Sequence, residues 1–99
     1  MGTGHLPKYF VADISTAHIT REDAARLDQE AIGHPPVRYP LGEYGWLINV
    51  EPSDWVTMKE LGYSDALLAI LMRCKKENCS FLRLDRDGPT VEGLTVFDW

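Results

Sequence analysis

The chain has no basic surplus. Its 99 residues carry ten lysines and arginines against fifteen aspartates and glutamates, a formal charge of -5. The deficit is shared: residues 1–50 hold four basic and six acidic groups, residues 51–99 six and nine. Duplex nucleic acid is bound by neutralising phosphates with Lys and Arg, so this balance argues against direct nucleic-acid binding and makes basic proteins the natural partners. Long apolar runs are also missing, and no stretch approaches the roughly 20 residues of a membrane helix. The opening "MGTGHLPKYF" has neither the charged nor the apolar region of a secretory signal, and Leu6 stands where a myristoylation pattern needs Ser or Thr. A cytoplasmic protein without membrane association is expected. Cysteine is scarce. Cys74 and Cys79, in "RCKKENCS", match no zinc or redox spacing, so they read as buried small hydrophobes at a helix end, and neither metal nor cofactor is expected. Internal repeats and low-complexity tracts are lacking as well.

The composition, 44% hydrophobic and 25% charged, is globular usage, and the length fits one domain with one small core. Residues 1–7, with two glycines and a proline, read as a flexible tail and residues 8–99 as a single domain. "KYFVADIS" reads as a strand with Phe10 and Ala12 on one face and Tyr9, Val11 and Asp13 on the other, partly buried on both sides.

"TREDAARLDQEAIG" carries an N-cap at Thr20 and an acid variant of the capping box at Asp23, with Glu22 and Asp23 at the positive end of the helix. Its buried stripe is Ala24, Leu27, Ala31 and Ile32, and Gly33 suits a left-handed C-cap. "HPPVRYP" cannot continue a helix. "YGWLINVEP" reads as a strand with Trp46, Ile48 and Val50 on one face and Leu47 and Asn49 on the other. "SDWVTMKELG" suits either a short helix capped by Ser53 and closed by Gly62 or an edge strand.

The strongest helix signal is "SDALLAILMRCKKENC". Ser64 caps it, Asp65 sits at its positive end, and Arg73, Lys75 and Lys76 sit at its negative end. The apolar run Ala66 to Met72 goes right around a helical cylinder, which predicts burial on more than one side. Cover could come from a dimer through Leu68, Leu71 or Met72, or from the proline-rich 34–45 segment. The last twenty residues read as a hairpin of 80–86 with 91–98 across the turn at "DRDGP". The fold expected is α+β: a two-layer sandwich of about four strands with two or three helices.

Three groups of residues invite a chemical reading. "STAH" places Ser15 and Thr16 beside His18, a nucleophile and a base in name. Three residues apart, and without a Gly-rich elbow or oxyanion-hole signature, they read better as a polar joint between strand and helix. "DRDG" begins like a calcium loop, but its glycine comes fourth and Glu92 eighth, so a turn capped by carboxylates is the better reading. Acid–base pairs could be drawn from Asp13, Asp85, Asp87, Glu92 and Asp98, and no spacing selects among them. No catalytic residue is therefore assigned.

The segments "ISTAHITREDA", "KELGYSDALLAIL", "FLRLDRDG" and "EGLTVFDW" resemble a family of small bacterial proteins of unknown function, with Ile14 where that family has a cysteine. The resemblance implies a mobile-element setting, near antirestriction and toxin–antitoxin genes, and no catalytic assignment. Small acidic proteins in that setting look like inhibitors of host defence, anti-CRISPR proteins among them. The expectation is a non-enzymatic binding protein that antagonises a host protein or protein–RNA complex with a basic surface. Its binding residues would be Glu43, Tyr44, Trp55, Asp85 and Asp87. The alternative is a small hydrolase or transferase built on His18 with Asp13 or Asp85.

Overall fold

The computed structural model describes residues 4–31, 33–52 and 54–99. Residues 4–10 belong to no helix or strand; residues 1–3 of the expected tail lie outside the described residues. Strand β1 (Val11–Ser15) is shorter than the sequence predicts because its pairing partner runs out. That partner is β4 (Phe81–Asp85), and its register with β1 begins at Val11 opposite Phe81.

The sheet order is β1-β4-β3-β2, with β3 at Gly45–Asn49 and β2 at Arg38–Pro40. The β1–β4 pair is parallel and the other two pairs are antiparallel. Strand β2 forms inside the segment read only as non-helical, and Pro40 is tolerated because β2 is an edge strand. At the β3–β4 crossing Gly45 has φ +146°, and a Cβ there would sit 1.8 Å from the Leu84 carbonyl oxygen, so only glycine fits.

Alternation along the strands sends Ile14, Trp46, Ile48, Leu82 and Leu84 into the core together with the buried residues of the helices. On the opposite face Val11 is 46% exposed and Tyr39 of β2 51%, while Ser15 at the end of β1 is buried, so the second side of β1 is covered only at its C-terminal end. The helices form a single layer, and among the described residues no helix or strand covers the other face of the sheet.

Helix α1 (Arg21–Gln29) starts with the predicted box: Thr20 Oγ1 accepts from the Asp23 amide at 3.0 Å, and Asp23 Oδ2 accepts from the Thr20 amide at 3.1 Å. Asp23 is buried and also accepts from the amide of Ser64, at 2.8 Å, and from its hydroxyl. Ser64 is itself the N-cap of α3 (Asp65–Lys76), its Oγ accepting from the Leu67 amide at 3.1 Å. One carboxylate thus joins the starts of two helices. The α1 helix ends four residues before Gly33, leaving Ala31 exposed; Ile32 lies outside the described residues. Arg38 ends it instead, donating to the carbonyls of Leu27 at 2.7 Å and Glu30 at 2.6 Å, groups a longer helix would have used itself.

Helix α2 (Trp55–Glu60) settles the helix-or-strand ambiguity, and Asp54 caps it. Ser53, the cap expected from the sequence, lies outside the described residues. The buried residues of α3, Leu67, Leu68, Ile70, Leu71 and Cys74, sweep about 160° at 100° per residue, so one side of this helix faces out. Two of the three dimer candidates, Leu68 and Leu71, are buried within the one chain, while Met72 is 53% exposed.

The expected 80–86/91–98 hairpin does not form. Strand β4 is flanked by β1 and β3, so neither of its edges is open to residues 91–98. These residues cross the molecule outside the sheet and are held by the polar joint that follows β1.

Candidate functional site

The polar joint is a clamp. Ser15 Oγ accepts from the Ala17 amide at 3.0 Å and opens a single 3-10 turn, Thr16–His18. His18 is 1% exposed. Its Nδ1 lies 2.8 Å from the Thr95 carbonyl oxygen, and its Nε2 accepts from the Val91 amide at 2.8 Å. Those two partners select the neutral ring with its proton on Nδ1. Around it, the Ser15 amide donates to Pro89 O at 2.8 Å, the Phe97 amide to Ala17 O at 2.7 Å, and Trp99 Nε1 to Ile19 O at 2.9 Å. Both nitrogens of His18 are therefore engaged by main chain, and neither is turned toward Asp13 or Asp85. This segment could not pair in the sheet, and the joint satisfies its backbone instead.

The open face of the sheet gathers a different set. Register aligns Asp13, Arg83, Leu47 and Tyr39 in one row across the four strands. Arg83 lies 3.7 Å from Asp13 and donates from Nη2 to Asp85 Oδ2 at 2.7 Å. The other oxygen of Asp85 accepts from the Asp87 amide at 2.9 Å, closing the "DRDG" turn. The Arg83 hydrogen bond, followed by that of the Asp87 amide, lowers the Asp85 pKa below the ordinary carboxylate value. Asp85 is thus largely buried and committed to the turn, whereas Asp87 is exposed.

Tyr44 faces the same place. Its carbonyl accepts from the Arg86 amide at 2.7 Å, and the Arg86 guanidinium lies 5.3 Å from the centre of its ring, 4.0 Å from Glu43. A shallow depression results, floored by Val11, Leu41 and Leu47 and edged by Tyr44, Asp13, Asp85 and Asp87 with Arg83 among them.

Of the five binding residues expected from the sequence, Tyr44, Asp85 and Asp87 line this depression and Glu43 stands next to it. Trp55 does not join them. It sits half-buried on α2 against the core, with Lys75 Nζ 5.5 Å from its ring centre. Arg83, Val11 and Leu47 were missed as site residues, although the alternation of "FLRLD" and "GWLIN" already placed Arg83 and Leu47 opposite the buried leucines and isoleucine.

Cys74 is buried and Cys79 half-buried; neither is in a disulfide. Burial pushes the Cys74 thiol up to about 11. Among the described residues no group of three or more His, Cys, Asp or Glu side chains could hold a metal ion, and no helix is long and apolar enough to cross a membrane.

No curated protein and no solved structure matches the chain. Residues 11–99, all of the sheet, the helices and the clamped C-terminal segment, match the C-terminal domain of a family of unknown function, and the chain belongs to that family, DUF5983.

Proposed function

We propose that this chain is a small, acidic, non-enzymatic binding protein whose open sheet face docks on a basic protein surface. The observation that carries the reading is the depression on that face. Asp13, Asp85, Asp87 and the neighbouring Glu43 bring four carboxylates against two guanidiniums, Arg83 and Arg86, beside an apolar floor. An arginine or lysine side chain of a partner finds both of its requirements there: an apolar bed for its stem and a carboxylate for its head. The overall charge of -5 adds a long-range attraction to the same partner.

The target we propose is a nucleic-acid-handling complex of the host, whose phosphate-binding surface is basic, with this chain acting as a mobile-element antagonist in the manner of an anti-CRISPR protein. The hydrolase alternative has no observation in its favour, since His18 offers no ring nitrogen beyond those bound to main chain.

The test is a titration of labelled protein with an arginine-rich peptide, followed through backbone amide shifts at two salt concentrations. Shifts should concentrate at Asp13, Tyr44, Leu47 and Asp87 and weaken as salt rises, because the contacts are exposed and screened. Shifts scattered over the helices, or unaffected by salt, would refute the reading.

A further inference from the structure

The two cysteines are 5 positions apart in sequence, and the end of α3 brings their backbones together at one cavity. Asn78 adopts the left-handed conformation, φ 61°, and closes a Schellman motif: its amide donates to Lys75 O at 3.1 Å, and the Cys79 amide donates to Cys74 O at 2.8 Å. Standard bond lengths then place the two Cα atoms no more than about 6.7 Å apart, within the span of about 4.4–6.8 Å that a disulfide bridges. Both cysteines line the same apolar cavity of about 150 Å³, together with Leu82, Val91 and Leu94. From this juxtaposition we propose that Cys74 and Cys79 form a modification site, a dithiol that a small-molecule disulfide of the glutathione type oxidises to an intramolecular bond across the cap of α3.

The exchange proceeds in two displacements. The Cys79 thiolate, the more accessible, attacks the small disulfide, forming a mixed disulfide and releasing one small thiol. Cys74 then gives up its proton and attacks the Cys79 sulfur, releasing the second small thiol and closing the Cys74–Cys79 bond. Two protein thiols supply two electrons and two protons, and one small disulfide becomes two thiols. The high pKa of the buried Cys74 makes the second displacement the slow one at neutral pH. The bond would fix the end of α3 beside the cavity that Val91 and Leu94 cover, and so couple redox state to the seating of the C-terminal segment.

The experiment equilibrates the full chain in glutathione redox buffers, folded and in concentrated urea, quenches with acid and reads intact mass and a peptide map. In the folded protein the 74–79 bond should form with an equilibrium constant at least about ten-fold larger than in urea, where the chain no longer holds the cysteines together. By linkage the oxidised protein should unfold at higher urea than the reduced one, by the same factor in its unfolding constant. Cys74→Ser should stop at a glutathione adduct on Cys79, and Cys79→Ser should remain unmodified. A folded-state constant equal to or below the urea value, or an adduct on Cys79 of the native chain that never closes, would overturn the proposal.

Discussion

The two faces of the one sheet are made by alternate residues of the same strands, and they do opposite work. On one face Ile14, Ile48, Leu82 and Leu84 meet three helices and are removed from water. On the other, Val11, Asp13, Leu47 and Arg83 meet no covering layer among the described residues. The contrast teaches where charge can be put to use. Asp23, in the helical layer, spends its carboxylate on the amides of Thr20 and Ser64 and the Ser64 hydroxyl, and serves the fold. Asp87, at the rim of the open face, keeps its carboxylate exposed, and among the described residues no ion pair engages it. Asp85 lies between these cases, half of it given to Arg83 and half to the turn.

The two faces should differ most in what a truncated side chain costs. Leu82→Ala empties a fully buried site and should cost about 2–5 kcal/mol, while Leu47→Ala, one strand over on the open face, should cost under about 1 kcal/mol. Urea unfolding of both variants measures the difference. The carboxylates should follow suit: Asp23→Ala leaves two amides and a hydroxyl without an acceptor and should cost about 2–4 kcal/mol, against about 0.5 kcal/mol or less for Asp87→Ala.

The pH dependence sharpens the same contrast. Because the Cys74 thiol is raised to about 11 in the folded state, its contribution is fully present below the unfolded value near 9. Stability should then fall by about 2 kcal/mol as the pH rises from about 9 to 11, and Cys74→Ser should remove that fall. A smaller effect is expected at the clamp. His18→Asn preserves a donor for Thr95 O but loses the acceptor for the Val91 amide, and should cost about 1 kcal/mol while the amides of residues 89–97 exchange faster.

What the sequence made legible were features whose partners lie within a turn. The Thr20–Asp23 box, the Ser64 cap, the alternation of β3 and the turn at "DRDGP" each need only neighbouring residues, and each is found. Features that depend on distant partners were not legible. Asp23 meets Ser64 across 41 positions, and His18 meets Val91 and Thr95 across 73 and 77. The hairpin expectation failed for the same reason. A strand signal at 81–85 says nothing of which two strands will flank it, and once β1 and β3 do, the residues after the turn need another way to satisfy their backbone. For the candidate site, Tyr44, Asp85 and Asp87 were legible as turn residues. Alternation put Leu47 and Arg83 on one face, but that this face is the uncovered one depends on where the helices pack, which no local pattern states.

Whether the open face carries the binding is decided by paired charge reversals measured against an arginine-rich peptide by calorimetry. Asp87→Lys on the open face should weaken binding by about ten-fold at low salt and less at high salt, with unfolding midpoints unchanged, because it alters an exposed charge at the contact. Glu22→Lys, in the first turn of α1 in the helical layer, makes the same change in net charge and should alter binding by less than about two-fold. Equal losses from the two variants would mean that net charge alone draws the peptide, and would contradict the account.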